Sequence, residues 1–538
     1  MGTGRFLPCA ARAWLLVFLC TTVWIALAPG SAPAQKYGGT LRGVVFESWP
    51  SLSIHEEATI TTVWPVSPMY NNLVIYDPAR KVESAEHLVG ELAESWAWSD
   101  GGKRLTFHLR HGVKWHDGKP FTAADVKYTF DLVRGASDKR LKLNPRKVWY
   151  ENVQDIAVSG DYEVAFVLKR PQPAILSMLA TGYSPVYPAH IDPAELRTRA
   201  VGTGPFRLKE AEPDQYLLME KNPDYFVKGR PYLDAIRYVV IKARSASTAA
   251  LISGDIDMVM PAMSTREMRD QVVAAVPGMV VQVVSLGASD NILLNTRKAP
   301  FDNLKVRQAV NLALDRKAAI KAASEGLGVP GGALLPPPYG RWGLTAEEVA
   351  KLPGYGDPAQ DKAQARQLLA EAGYGPGTPL KVTVSTRSSQ LYVDVATWVV
   401  DQLRQVGIEG TLEIVESGVW FGRLARREFQ IGINQTGVAP DDPDGNLFEN
   451  YSCGSLRNYT DFCSKEVEAL ILQQSQELDQ AKRLKLVHEI DRRLQVEVAR
   501  PILDHRLDPF MHWPYVRNLV AHNSNYNWAR MESVWLDK

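Results

Sequence analysis

Residues 93–130 read AESWAWSDGGKRLTFHLRHGVKWHDGKPFTAADVKYTF, and they carry more local structure than any other stretch of this 538-residue chain. Leu105, Phe107 and Leu109 alternate with Thr106, His108 and Arg110, the period-2 pattern of a strand with one buried face. His116-Asp117-Gly118-Lys119 supplies turn chemistry, with Gly118 free to take positive φ. Thr122 and Asp125 then stand at the spacing of a capping box, which predicts a helix with Val126, Phe130 and Val133 on its inner face. Strand, turn and helix therefore follow one another in fewer than forty residues.

The Trp-rich segment, the S-D-G-G-K turn and the run R-H-G-V-K-W-H-D-G-K-P-F-T-A-A-D-V, residues 110–126, resemble the signature of the extracytoplasmic solute-binding proteins of peptide-type ABC importers, bacterial family 5, whose members serve dipeptide, oligopeptide and nickel uptake. The resemblance implies an α/β, periplasmic-binding-protein-like fold: two main lobes around a ligand cleft, with an additional inserted lobe. It also implies a small-molecule or peptide ligand, an ABC importer permease as partner, a monomer and no cofactor.

Residues 1–34 read as a secretory signal. Arg5 and Arg12 form a positive n-region, residues 13–28 are almost wholly apolar, and Ala32-Pro33-Ala34 precedes Gln35 as a cleavage site. The rival, a membrane anchor, falls short of the roughly 20 apolar residues a span needs. A lipoprotein signal fits poorly, because Leu19 precedes Cys20 and Leu7-Pro8 precede Cys9. The expected destination is the periplasm. The signal holds two basic residues and no acidic one, so the chain's 61 basic and 60 acidic side chains leave a near-neutral mature protein. Nothing in that balance suggests a nucleic-acid or membrane-surface partner. Of four cysteines, Cys453 and Cys463 remain; they bracket a short turn-rich segment in an oxidising compartment and are expected to form a disulfide. Two isolated cysteines do not make a metal site.

Further landmarks order the rest of the chain. Val201-Gly202-Thr203-Gly204-Pro205-Phe206 is a Gly-rich turn into a strand, and lacks the Lys-Ser/Thr of a phosphate loop. Residues 65–76 read as a helix start entering a second lobe. Residues 295–316 carry an apolar helical stripe of Val306, Val310 and Leu314, capped by Asp302 or Asn303. The G-x-G-x-x-G at Gly326, Gly328 and Gly331 is a loop, since Pro330 precludes the helix a nucleotide site requires. From residue 361 helix and strand alternate, a long amphipathic stretch covers 464–498, and 501–535 is short and strand-like. By resemblance, lobe I takes residues 35–75, 200–295 and 500–538, the inserted lobe 76–199, and an α/β lobe 296–499.

The site is expected between lobes. Trp49 borders the cleft by resemblance or is a hinge-side packing residue, and Tyr183 faces the cleft or covers the lobe. Asn434 and Thr436, at a strand end, are candidate donors. In peptide-binding relatives an aspartate just ahead of an Asp-Pro-Asp pairs with the ligand's ammonium; aligning on Asp442-Pro443-Asp444 puts Val438 or Ala439 there, with Pro440 inserted. With the loop shifted, Asp441 or Asp442 is the substitute anchor; the alternative role of either is a turn-former. That departure keeps opines, sugars and metal chelates open beside peptides. No G-x-S-x-G, H-E-x-x-H or P-loop occurs, so catalysis is not expected, a secreted hydrolase being the remote alternative.

Overall fold

The stretch that opened the reading folds as its pattern requires. Arg104–Leu109 pairs antiparallel with Ala93–Ser99 on one side and Glu163–Leu168 on the other, and Val153–Val158 completes a four-stranded sheet. Leu105, Phe107 and Leu109 are buried while His108 is exposed. The helix Ala123–Arg134 begins where Thr122 donates its amide to the Asp125 carboxylate at 2.9 Å, and Val126, Phe130 and Val133 pack its inner face. Asp125 also accepts from the Trp115 indole at 3.3 Å, tying the turn to the helix.

The computed structural model describes Met1 and residues 35–57, 59–437, 442–524, 526–527 and 529–538. The signal-peptide reading, the candidate Asp441 and the aligned positions Val438, Ala439 and Pro440 lie outside the described residues. From Lys36 to Lys538 the chain forms one compact unit. No helix among the described residues is long and apolar enough to cross a membrane.

Among the described residues the main sheet has eleven strands. From one edge these run Ile408–Val415, Leu380–Arg387, Ile431–Gly437, Val280–Leu294, Ile502–His512, Met258–Val259, Thr40–Val45, Ala235–Val240, Tyr216–Lys221 and Phe206–Glu212, with Gly328–Val329 pairing off this path. Two long central strands, Val280–Leu294 and Ile502–His512, hold it together. Two large cores flank them. The first draws on residues 41–284 and 510–536, and includes the four-stranded sheet. The second is built from residues 292–503.

Local chemistry explains the joins. Gly204 passes so close to the chain at Pro68 and Met69 that a Cβ would fall 2.4 Å from backbone atoms, and its amide donates to Met69 O at 3.1 Å; the Gly-rich turn is a close approach of backbone to backbone. Asn303 rather than Asp302 caps the helix Leu304–Ala313, accepting from the Lys305 amide. Pro65 does not start a helix but lies inside Ile60–Val66, because Thr59 supplies an earlier cap. The stretch 464–498 is two helices, Lys465–Gln476 and Gln480–Val496. Asp479 accepts from the Lys482 amide at 3.0 Å and restarts the second, a local side-chain bond that competes with helix continuation.

Candidate functional site

The two central strands pair from Val280↔His512 to Ser285↔Leu507, lose register, and resume at Ser289↔His505. Residues 286–288 bridge the gap. Gly287 takes φ +61° there, and its amide donates to the Ser285 hydroxyl at 3.0 Å. A loosened ladder in both long strands is a place where the chain can bend without losing a continuous sheet.

A small polar cavity, with about 60 Å³ of enclosed free space, opens over this break. Gly287, Ser289, Thr436, Arg500 and His505 line its floor, and Glu83, Asn523 and Ser524 face them from segments of the first core's side. The strand Ile431–Gly437 lies antiparallel to residues 288–294, so Thr436 stands opposite Ser289 and Asn434 opposite Asn291. Residues two apart share a face of a strand, and the Asn434 amide donates to the Thr436 hydroxyl at 3.4 Å. Asn434 also accepts from the Trp420 indole at 3.4 Å. Thr436 donates to Asn291 and accepts from Arg500, at 3.4 and 3.3 Å. Gln435 points the other way, to Asp290.

The remaining candidates from the sequence lie apart from that floor. Trp49 is packed in the first core and does not line the cavity. Tyr183 is buried with its ring 3.4 Å beneath the Arg146 guanidinium and 4.8 Å from the Tyr526 ring. Asp442 touches the cavity rim, but its carboxylate caps the helix Pro443–Asn450 and receives two hydrogen bonds from Arg483, at 2.9 and 2.7 Å. Behind it Asp444 is fully buried. Burial raises its carboxyl above the usual range, although Arg483, Ser475 and Gln172 all donate to it. Cys453 and Cys463 form a disulfide closing the segment after this helix.

The sequence reading missed a group of arginines. Arg146, Arg457 and Arg500 are all buried. Arg457 is ion-paired with the buried Glu449, and Arg500 donates to Thr436, to Asn450 and to the carbonyl of Arg457. Tyr526 links the group to the strand end, since a Cβ on Gly437 would fall 2.3 Å from its hydroxyl. No pattern announces Arg146 and Arg457, since arginine is ordinarily a solvated surface residue, whereas Arg500 interrupts the apolar run Val498-Ala499-Arg500-Pro501-Ile502.

A large sheet spanned by two interrupted crossing strands, with a polar cavity over the interruption, is the frame of a periplasmic-binding-protein-like fold. The chain belongs to the family described as bacterial extracellular solute-binding proteins, family 5 Middle, which it matches over residues 87–458. It is 28% identical over 451 residues to the dipeptide-binding protein of Escherichia coli (strain K12), spanning 78% of this chain and 80% of the relative. The periplasmic binding protein DppA of Helicobacter pylori, solved in complex with peptide STSA, superposes with a TM-score of 0.82 at 22% identity, covering 94% of this chain and 99% of the other. AgaA from A. tumefaciens R10, solved with agropinic acid, superposes with a TM-score of 0.81 at 23% identity, covering 93% and 99%.

Proposed function

We propose that this chain is a periplasmic receptor that captures a di- or oligopeptide and delivers it to the permease of an ABC importer, acting as a monomer after removal of residues 1–34. The observation that carries the reading is the polar cavity set over the shared break in the two crossing strands, in a chain of this family. In this reading lobe I comprises residues 35–75, 200–295 and 500–538, an inserted lobe 76–199, and an α/β lobe 296–499. Solute enters between them; closure excludes water and stabilises the form the permease recognises, which requires contacts on both sides of the cleft. Thr436, with Asn434 behind it, and Tyr183 are the proposed solute contacts. Asp442 shapes the rim, and Trp49 supports the loop at residues 46–55. Asp441 keeps its proposed role as amine anchor. The protein binds without turning its solute over.

A second reading, a non-peptide solute, is favoured by one observation: the Asp442 carboxylate is held by Arg483 and is not free to anchor an ammonium. Purifying the mature protein without denaturation, then comparing native and denaturing mass spectra, separates the two. A ladder of short peptides supports the first reading; a single non-peptide solute replaces it with the second.

A further inference from the structure

Arg500 lines the cavity and reaches Thr436 near the end of the strand Ile431–Gly437; Arg457 and Arg146 stand behind it around Glu449, and the charge of the three is not balanced by the described residues around them. Arg146, Arg457 and Arg500 face the carboxylate of Glu449. Glu57 also faces Arg146, but burial pushes its carboxyl up to about 7, so it is only partly ionised at neutral pH. Among the described residues the group therefore carries a surplus of positive charge.

Hydrogen bonding is as incomplete as charge. Arg146 is 1% exposed and makes one hydrogen bond, from Nη1 to the carbonyl of Glu57; its Nε and Nη2 have no partner among the described residues. The Nε atoms of Arg457 and Arg500 are likewise buried without a partner. Leaving a buried donor unmet costs about 1–3 kcal/mol, more when it is charged, and an unpaired buried charge is costlier still. Such an arrangement persists where something else supplies the missing acceptors. The planar fork of a guanidinium matches a carboxylate or phosphate oxygen pair. The Tyr183 ring lies 3.4 Å beneath Arg146, and the Tyr526 ring lies 4.8 Å from Tyr183.

We propose that the captured solute presents an oxyanion, a carboxylate in the first instance, to a clamp formed by Arg146, Arg457 and Arg500. The proposal rests on the receptor reading above and names what that site selects. It places negative charge on the ligand at the strand end where resemblance to peptide-binding relatives had implied a protein carboxylate facing an ammonium. Closure then has a reason to be ligand-dependent: without the anion, bringing the cluster out of water is opposed by its own charge.

The test compares matched probes by calorimetry at fixed ionic strength. These are Ala-Glu, Ala-Gln and the α-amide of Ala-Glu, together with glutarate and glutaramide. Each is measured on the mature protein and on the Arg146→Gln and Arg500→Gln variants. The expected result is that at least one carboxylate probe binds tenfold or more tighter than its amide partner, and that either variant reduces this preference to under threefold. The dipeptide arms separate a terminal carboxylate from an acidic side chain. Equal binding of acids and amides, an undiminished preference in both variants, or no carboxylate-dependent binding to any probe overturns the proposal. Carboxylate selectivity by glutarate alone supports the clamp while removing the peptide reading; peptide binding indifferent to charge does the reverse. Thermal unfolding without ligand provides the folding control. Arg146→Gln removes an unanswered charge and is expected to hold or raise Tm, whereas loss of stability on that substitution marks a purely structural arginine and counts against the clamp.

Discussion

Arg483 grips Asp442 through both carboxylate oxygens, at 2.9 and 2.7 Å, and reaches past it to Asp444 at 3.2 Å. All three side chains are buried. The arginine thus neutralises two carboxylates at the mouth of the helix Pro443–Asn450. Breaking a buried pair by removing one partner costs about 3–5 kcal/mol, because the other charge is stranded. Arg483→Met is expected to destabilise the protein by that amount in urea unfolding. Asp442→Asn keeps the cap oxygen and is expected to cost less. Because its carboxylate is already committed, it should leave solute affinity within about threefold; a much larger loss would return Asp442 to the ligand.

Asp444 also receives the amide of Gln172 at 2.9 Å, and the Trp149 indole donates to the Gly445 carbonyl at 3.1 Å. Both bonds join residues 76–199 to residues 296–499, the two sides that close on solute in the proposed mechanism. They contribute only when the sides are together, so they bias the equilibrium between arrangements without touching ligand. Gln172→Ala is expected to weaken solute affinity several-fold, with Thr436 and the arginines intact, and to increase the radius of gyration of the unliganded protein in solution scattering. Unchanged affinity would show that this bond does not contribute to closure.

What could be read from the sequence follows from how each feature is written there. Alternation at Leu105, Phe107 and Leu109 and the Thr122–Asp125 box are local, so strand and helix were legible before any contact was known. Asn303 and Asp479 act as caps by the same local chemistry, yet only the first was anticipated; an amphipathic pattern carried straight through 477–479 hid the break. The site was less legible because it is assembled from segments far apart in the chain. Thr436 and Asn434 could be found from a strand-end position, but the commitment of Asp442 to Arg483 spans 41 residues, and Arg146 meets Tyr183 and the segment after residue 442 only in three dimensions. Burial turned those arginines from ordinary surface charges into a buried group, and burial of a charged side chain is the property sequence patterns report least well.

Cys453 and Cys463 are ten residues apart and enclose Arg457. Closing a loop of that length stabilises by about 2–3 kcal/mol through the entropy removed from the unfolded chain. The Cys453→Ser, Cys463→Ser double variant is expected to lose that much stability. The same loop also holds Arg457 against Glu449, so the variant should bind a carboxylate probe more weakly than its global stability loss explains. Calorimetry well below Tm checks this: affinity equal to the wild type would show that the loop keeps its shape without the bond.

The dependence of stability on pH follows from two opposed sets of buried groups. Burial pushes the carboxyls of Asp491 and Asp508 up to about 6 and about 7. Asp504 is raised well above the ordinary value of 3.8 by burial and by Asp290 beside it. The folded state keeps these protons while the unfolded chain releases them, so their contribution is lost as pH rises from about 4 toward 8. His55, His116 and His505 are lowered from 6.5 to about 4 by burial; the unfolded chain binds protons there first, so stability is lost as pH falls below about 6.5. The two sets oppose each other between 4 and 6.5, and above that only the carboxylates still titrate. Tm is therefore expected to vary little between about pH 5 and 6 and to decline toward pH 8. Asp504 and Asp508 lie on the crossing strand Ile502–His512, and asparagine at either mimics the neutral acid. Asp504→Asn and Asp508→Asn should each raise Tm more at pH 8 than at pH 6, flattening the alkaline limb. A Tm that climbs from pH 6.5 to 8 in the wild type, or variants that shift both pH values equally, would mean that these carboxyls are ionised in the folded protein.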